Sequence, residues 1–212
     1  MAPLPRFSPP SRLYGAYIFD CDGTLADTMP IHHRAWKAAL VQAGARFDFH
    51  WDRFMSRAGM SLEETVLQLS AEFAHPLDAV AISEHQRLIY EALEGSVCGI
   101  AEVVAFAREV SLFAPVAVAS GSVRRHVERT LECIGARDLF TVIVTPEDVT
   151  HGKPFPDMFL LAAELMGAAA ADCLVLEDAE FGFEAARRAG MEYARVGPAE
   201  LLEEVSRAAP PA

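Results

Sequence analysis

Two carboxylates separated by one residue, Asp20 and Asp22, close the short apolar run Tyr17-Ile18-Phe19 and are followed at once by Gly23 and Thr24. A buried strand does not ordinarily end in such a pair, because like charges repel and each resists leaving water. A cation and an incoming ligand can compensate them. An aspartate carboxylate can also take up a phosphoryl group as an aspartyl phosphate. Taken alone, the stretch is a strand end with Asp-Gly in a turn. Three further groups change its meaning: Ser120-Gly121-Ser122, His151-Gly152-Lys153-Pro154 and Glu177-Asp178, each placed after another apolar run.

The elements that must position these groups alternate. Strands are predicted at 116–119, 142–144, 173–176 and 193–196, and helices at 101–110, 123–134, 157–167 and 179–189, with a last helix after Gly197-Pro198. Several strands are rich in Val and Ile without polar alternation, the pattern of a parallel sheet covered on both faces. Between residues 28 and 94 the signals are helical only. Apolar positions 31, 35, 36, 39 and 40 precede Gly44, a C-cap, and Ser61-Leu62-Glu63-Glu64 opens a helix with a capping-box pattern. The predicted fold is α/β, a Rossmann-like parallel sheet with helices on both faces and an inserted helical block. The core is expected at 12–27 and 96–207, the helical domain at 28–95, and loose tails at 1–11 and 208–212.

Open α/β sheets bind ligands at the carboxyl ends of their strands, and all four polar groups follow strands. Asp20, Asp178 and Glu177 form a hard oxygen set suited to Mg²⁺. Lys153 balances carboxylates and a phosphate, while Ser120 and the backbone N–H groups of the Gly121 turn can donate to phosphate oxygens. Asp20 is placed to attack phosphorus in line, and Asp22 to protonate the leaving alcohol and then deprotonate water. Each residue has a structural alternative: Lys153 as a surface lysine, Ser120 or Ser122 as a helix N-cap, Glu177-Asp178 as a cap for the next helix. The adjacent His32 and His33 point to different helix faces, which favours structural or substrate-facing roles over a metal pair.

Composition narrows the class. A net charge of −12 excludes nucleic acid and anionic membranes as partners, yet leaves room for a small phosphorylated metabolite. Hydrophobic residues make up 52% of the 212, enough for a sizeable core, and no apolar run is long enough to span a bilayer. The proline-rich start lacks the apolar stretch of a signal peptide. Cys21, Cys98, Cys133 and Cys173 show no CxxC or zinc spacing, which predicts reduced thiols in a cytoplasmic protein. The protein is expected to be a monomer or homodimer.

Phe19-Asp20-Cys21-Asp22-Gly23-Thr24-Leu25-Ala26-Asp27-Thr28, Ala119-Ser120-Gly121-Ser122, Gly152-Lys153-Pro154-x-Pro156-Asp157 and Leu176-Glu177-Asp178-Ala179-x-x-Gly182 resemble, in this order, the four motifs of the haloacid dehalogenase-like hydrolase superfamily. Met29 to Trp36 and Glu177 to Gly182 are most similar to its β-phosphoglucomutase-like branch, which includes sugar-phosphate phosphatases. The resemblance implies a Mg²⁺-dependent phosphatase with a helical cap domain. It makes Asp20 the nucleophile and Asp22 the acid/base, with Mg²⁺ held by Asp20, the Asp22 carbonyl and Asp178, and Glu177 nearby. Gly23, Thr24, Ser120, Gly121 and Lys153 would surround the phosphoryl group. A dehalogenase lacks the second aspartate, so Asp22 favours phosphoryl transfer. A mutase also carries a basic cap residue for the non-reacting phosphate; alignment puts Leu62 and Ala58 there, with Arg57 as a neighbouring substitute. The alternatives are therefore a β-phosphoglucomutase and a non-catalytic binding protein that keeps the fold.

Overall fold

The computed structural model describes residues 7–57, 60 and 62–197. The chain divides into two compact units, one of residues 1–27 with 98–212 and one of Thr28–Val97. The first unit begins with β1 (Ala16–Phe19). The second holds α1 (Met29–Gln42), α2 (Trp51–Met55), α3 (Leu62–Glu72) and α4 (Ala79–Leu93), and no strand among its described residues. The first unit then resumes with α5 (Ala101–Val110), β2 (Val116–Ala119), α6 (Arg124–Cys133), β3 (Val142–Val144), α7 (Asp157–Met166), β4 (Cys173–Glu177), α8 (Glu180–Arg188) and β5 (Glu192–Arg195).

The described strands form one parallel sheet in the order β3-β2-β1-β4-β5. Successive side chains of a strand face opposite sides, and the core divides accordingly. Tyr17, Phe19, Val116, Val118, Leu174 and Leu176 pack with Val103, Phe106 and Val110 of α5 and Val127 and Leu131 of α6. On the other face Ala16, Ile18, Ala117, Ala119 and Val175 pack with Met158, Phe159 and Ala162 of α7 and Ala185 and Ala186 of α8. The second face is lined with alanines, so its helices can lie close to the sheet. Each large side chain buried in this way contributes roughly 1.5–3 kcal/mol. This two-faced burial explains why the strands read as continuous apolar runs.

Residues 7–11, expected within a loose tail because prolines surround them, carry a correction: Phe7 is buried and packs on Phe106 at a ring separation of 5.1 Å. The aromatic side chain gains more from the α5 face of the core than the proline-rich composition suggests. The expected helix after Gly197-Pro198, the cap Ser61, Ala58 and the tail 208–212 lie outside the described residues.

The helical unit has its own core of Trp36, Leu40, Phe49, Phe54, Val66, Leu69 and Ile82. Asp78 caps α4, accepting from the N–H groups of Val80 and Ala81 at 2.9 and 3.2 Å. Gly44, with φ 81°, follows the C-cap of α1 as its spacing predicts. His32 stacks on Tyr90 with ring centroids 4.3 Å apart, and His33 Nε2 lies 2.7 Å from the Phe49 carbonyl oxygen. Both histidines thus have packing roles inside the unit.

Candidate active site

β1 and β4 are neighbours in register, Phe19 opposite Leu176, so the residues that leave their carboxyl ends meet. The Asp20 N–H donates to the Leu176 carbonyl at 2.9 Å, which extends the ladder by one residue and fixes the Asp20 side chain at the sheet edge. Glu177 is the last residue of β4 and Asp178 the next. Ser120 leaves β2, its N–H donating to the Val144 carbonyl at 3.0 Å. The loop after β3 brings Lys153. All of these sequence-predicted groups are brought together within the first unit.

At the centre is an ion-paired lysine. Lys153 Nζ lies 2.7 Å from Asp20 Oδ1 and 2.6 Å from Glu177 Oε2, and its side chain is 8% exposed. Burial opposes its charge, but the carboxylates of Asp20 and Glu177 more than offset that and raise its pKa. Asp20 is pushed up to about 7, by burial first and then by Glu177, against the lowering effect of Lys153. Asp178 is raised well above the carboxylate range, again by burial first, then by Glu177 and Asp20. One ammonium faces four carboxylates, counting Asp22. Crowding of these carboxyl groups is part of what raises Asp20 and Asp178, and a bound cation would relieve that repulsion.

Ligand oxygens of Asp20, Glu177 and Asp178 lie within 4.8 Å of one another, the cluster suited to a metal ion among the described residues. Two glycines permit that approach. A Cβ on Gly23, whose φ is 90°, would fall 2.2 Å from Asp178 Oδ2; one on Gly182 would fall 2.0 Å from the Glu177 carboxyl carbon. Thr24 is fully buried, with its hydroxyl 3.4 Å from Asp178 Oδ1. The Gly23 N–H donates to the Ala26 carbonyl at 2.8 Å. The Gly23-Thr24 turn seats Asp178.

The cap readings are also corrected. The N-caps of α6 and α8 are Val123 and Ala179, and neither helix has a side-chain cap bond. The Ala179 N–H is taken by Glu177 Oε1 at 3.2 Å. Ser120 and Ser122 instead direct their hydroxyls to Asp22 Oδ2, at 3.4 and 2.6 Å. Ser122 is the site residue that sequence reasoning missed. Its signal in the sequence is a hydroxyl two residues beyond Ser120, a position that serves helix capping equally well. Gly121 is exposed in the turn between them, with open space where a Cβ would stand. Cys21 is buried among these groups; burial, then Asp22 and Asp20, hold its thiol pKa well above the usual value, which makes it unreactive.

Arg57, the candidate cation of the helical unit, is held within that unit. Its Nη2 pairs with Glu72 at 2.5 Å and its Nη1 donates to the Arg53 carbonyl at 2.9 Å. Arg53 shares the same carboxylate at 3.2 Å.

Comparison with known proteins agrees with this arrangement. A sequence model of the haloacid dehalogenase-like hydrolases matches residues 14–190, which include every residue of the site. The chain is 34% identical over 184 residues to the fructose-1-phosphate phosphatase YqaB of Escherichia coli, covering 84% of this chain and 94% of that protein. It is 32% identical over 201 residues to the β-phosphoglucomutase of Bacillus subtilis, covering 88% and 85%. A hydrolase from Pseudomonas syringae superposes with a TM-score of 0.73 at 30% identity, covering 85% of this chain and 84% of that one. No helix among the described residues is long and apolar enough to cross a membrane. The strand-end carboxylates, the lysine they enclose and these similarities together show that the chain belongs to the haloacid dehalogenase-like hydrolase family.

Proposed function

We propose that the protein is a Mg²⁺-dependent phosphatase of small phosphorylated sugars, acting through an aspartyl phosphate on Asp20. The observation that carries this reading is the Lys153 ammonium fixed between Asp20 and Glu177 at 2.7 and 2.6 Å, with Asp178 in the same cluster. A buried lysine in that position favours the ionised form of the nucleophilic carboxylate against the upward effect of burial and Glu177, and faces the charge of an arriving phosphoryl group. The donor set fits a hard divalent cation, since all of it is carboxylate oxygen. Asp20 and Asp178 would hold Mg²⁺, with the Asp22 carbonyl and with Glu177 beside it. When bound, Mg²⁺ would neutralise phosphoryl oxygens and so assist attack by an anion.

The chain's own residues account for the remaining steps. An Asp20 oxygen attacks phosphorus while the bond to the sugar oxygen breaks, and that oxygen takes a proton from the Asp22 carboxyl group. Water then attacks the phosphoryl group, giving its proton to Asp22, and the Asp20 carboxylate is released with inorganic phosphate. Ser120 donates its hydroxyl to the transferring group. The helical unit, inserted in the chain after β1, corresponds in sequence order to the cap domain of the family.

Mutase activity is the second reading, favoured by similarity to the Bacillus subtilis enzyme. It needs a cation for the non-reacting phosphate, and Arg57 is committed to Glu72 at 2.5 Å. We therefore place the phosphatase first. The test follows phosphate release and glucose 6-phosphate formation together, with Mg²⁺, from fructose 1-phosphate, β-glucose 1-phosphate and a hexose phosphate panel. Phosphate release without isomerisation supports the phosphatase. Sustained glucose 6-phosphate formation from β-glucose 1-phosphate establishes a mutase, and ligand binding without turnover establishes a binding protein.

A further inference from the structure

We propose that Ser122 is a positioning residue that holds the Asp22 carboxyl group in the orientation needed to give and take the proton of the leaving group; this rests on the phosphoryl transfer proposed above. Ser122 Oγ lies 2.6 Å from Asp22 Oδ2, the separation of a strong hydrogen bond to a carboxylate. Ser120 Oγ reaches the same oxygen at 3.4 Å, near the limit for a hydrogen bond. The Ser122 N–H in turn donates to Ser120 Oγ at 3.1 Å. Two hydroxyls on one short turn therefore converge on one oxygen of Asp22, and one of the two contacts is strong.

The ordinary employment of a serine just before a helix is to cap it. Ser122 does not do so: α6 has Val123 at its N-cap and no side-chain cap bond. Its hydroxyl is spent on a residue 100 positions earlier in the chain. The two serines then divide the work. Ser120 is fully buried at the end of β2 and already accepts a hydrogen bond, so its own hydrogen is the one to be redirected to a phosphoryl oxygen. That transfer costs little, because the Asp22 contact it gives up is long. Ser122 remains on Asp22 Oδ2 throughout and so holds the carboxyl group while it exchanges its proton with the leaving oxygen and with water. In the forward step the P–O bond to the alcohol breaks, its electron pair stays on the alcohol oxygen, and the Asp22 carboxyl proton moves to it. In the second step the proton of the attacking water returns to the Asp22 carboxylate as the bond from phosphorus to Asp20 breaks.

The test exploits the difference between leaving groups. An alkyl phosphate needs its leaving oxygen protonated, whereas p-nitrophenyl phosphate departs as a stable phenolate. The ratio of kcat/KM for the best-turned-over hexose phosphate to kcat/KM for p-nitrophenyl phosphate isolates the proton donor from phosphate binding. Ser122→Ala is expected to lower this ratio about tenfold or more, as a small misplacement of a catalytic group does. Asp22→Asn lowers it further, and the double variant falls no lower than Asp22→Asn alone. Ser122→Thr, which keeps the hydroxyl, recovers most of the ratio and serves if the alanine variant melts early. Equal losses on both substrates, or an unchanged ratio in both Ser122 variants, would overturn the role of Ser122 while leaving the phosphatase intact. Failure of the wild-type protein to hydrolyse either substrate with Mg²⁺ would instead overturn the phosphatase reading, and this role with it.

Discussion

The Lys153 ammonium stands 2.7 Å from Asp20 Oδ1, and it meets Glu177 on its other side at 2.6 Å. Removing one partner of such a buried pair strands the other charge, at a cost of roughly 3–5 kcal/mol. Lys153→Met keeps the side-chain volume and removes the ammonium. We expect a loss of about 3 kcal/mol in urea unfolding at pH 8 and a smaller loss at pH 5, where the stranded carboxylates take up protons. Equal losses at both pH values would mean that the lysine contributes packing and not charge compensation.

The metal-free protein should show the pH dependence that its raised carboxylates dictate. Asp20 has a folded pKa of about 7 against an ordinary value of 3.8, and Asp178 shifts in the same direction. The folded state therefore binds more protons than the unfolded state between those values, and stability falls as pH rises through that window. Melting temperature without metal is expected to drop from pH 5 to pH 8, with a shallower slope in Asp20→Asn. Metal competes with the same protons, so affinity for Mg²⁺ measured by calorimetry should rise over the same range. A flat or rising melting temperature without metal would contradict the assigned direction.

Gly182 leaves no room for a methyl group, since a Cβ there would fall 2.0 Å from the Glu177 carboxyl carbon. Gly182→Ala should displace Glu177 and cost about 1–3 kcal/mol, the usual range for overpacking a filled interior. Gly95 has open space within 4 Å and serves as the control. Gly95→Ala should stay within about 0.5 kcal/mol of the wild type. Chemical denaturation of both variants checks the contrast.

Arg57 is bound to Glu72 and the Arg53 carbonyl, with 14% of its side chain exposed. Arg57→Ala should therefore destabilise the helical unit by about 1–2 kcal/mol and leave the KM for a hexose monophosphate within about twofold. A KM rise of about tenfold, worth about 1.4 kcal/mol, would show that Arg57 leaves Glu72 to grip the substrate.

The sheet was legible in the sequence because its strands are buried on both faces and so read as unbroken apolar runs, with helices marked by their own periodicity. The candidate site was legible because four of those runs end in polar groups, and a parallel sheet gathers such ends at one edge. What the sequence could not show were the pairings. Lys153 meets Asp20 across 133 residues, and the contact depends on which strands are neighbours. Ser122 had two employments of equal local merit, and only the position of Asp22 decides between them. Phe7 was obscured because prolines mark a loose segment, although a single aromatic side chain can anchor one. Arg57 looked available because Glu72, on another helix, had no sequence relation to it.

The most direct test of the account is to trap the proposed intermediate. Rapid acid quench of the Mg²⁺-loaded protein with a turned-over hexose phosphate, followed by peptide mass analysis, should find a hydroxylamine-sensitive phosphoryl group on Asp20. Asp20→Asn should lose the adduct and at least about a thousandfold of the turnover. Turnover that persists in Asp20→Asn, or rapid hydrolysis with no phosphoryl group on Asp20, would contradict the account.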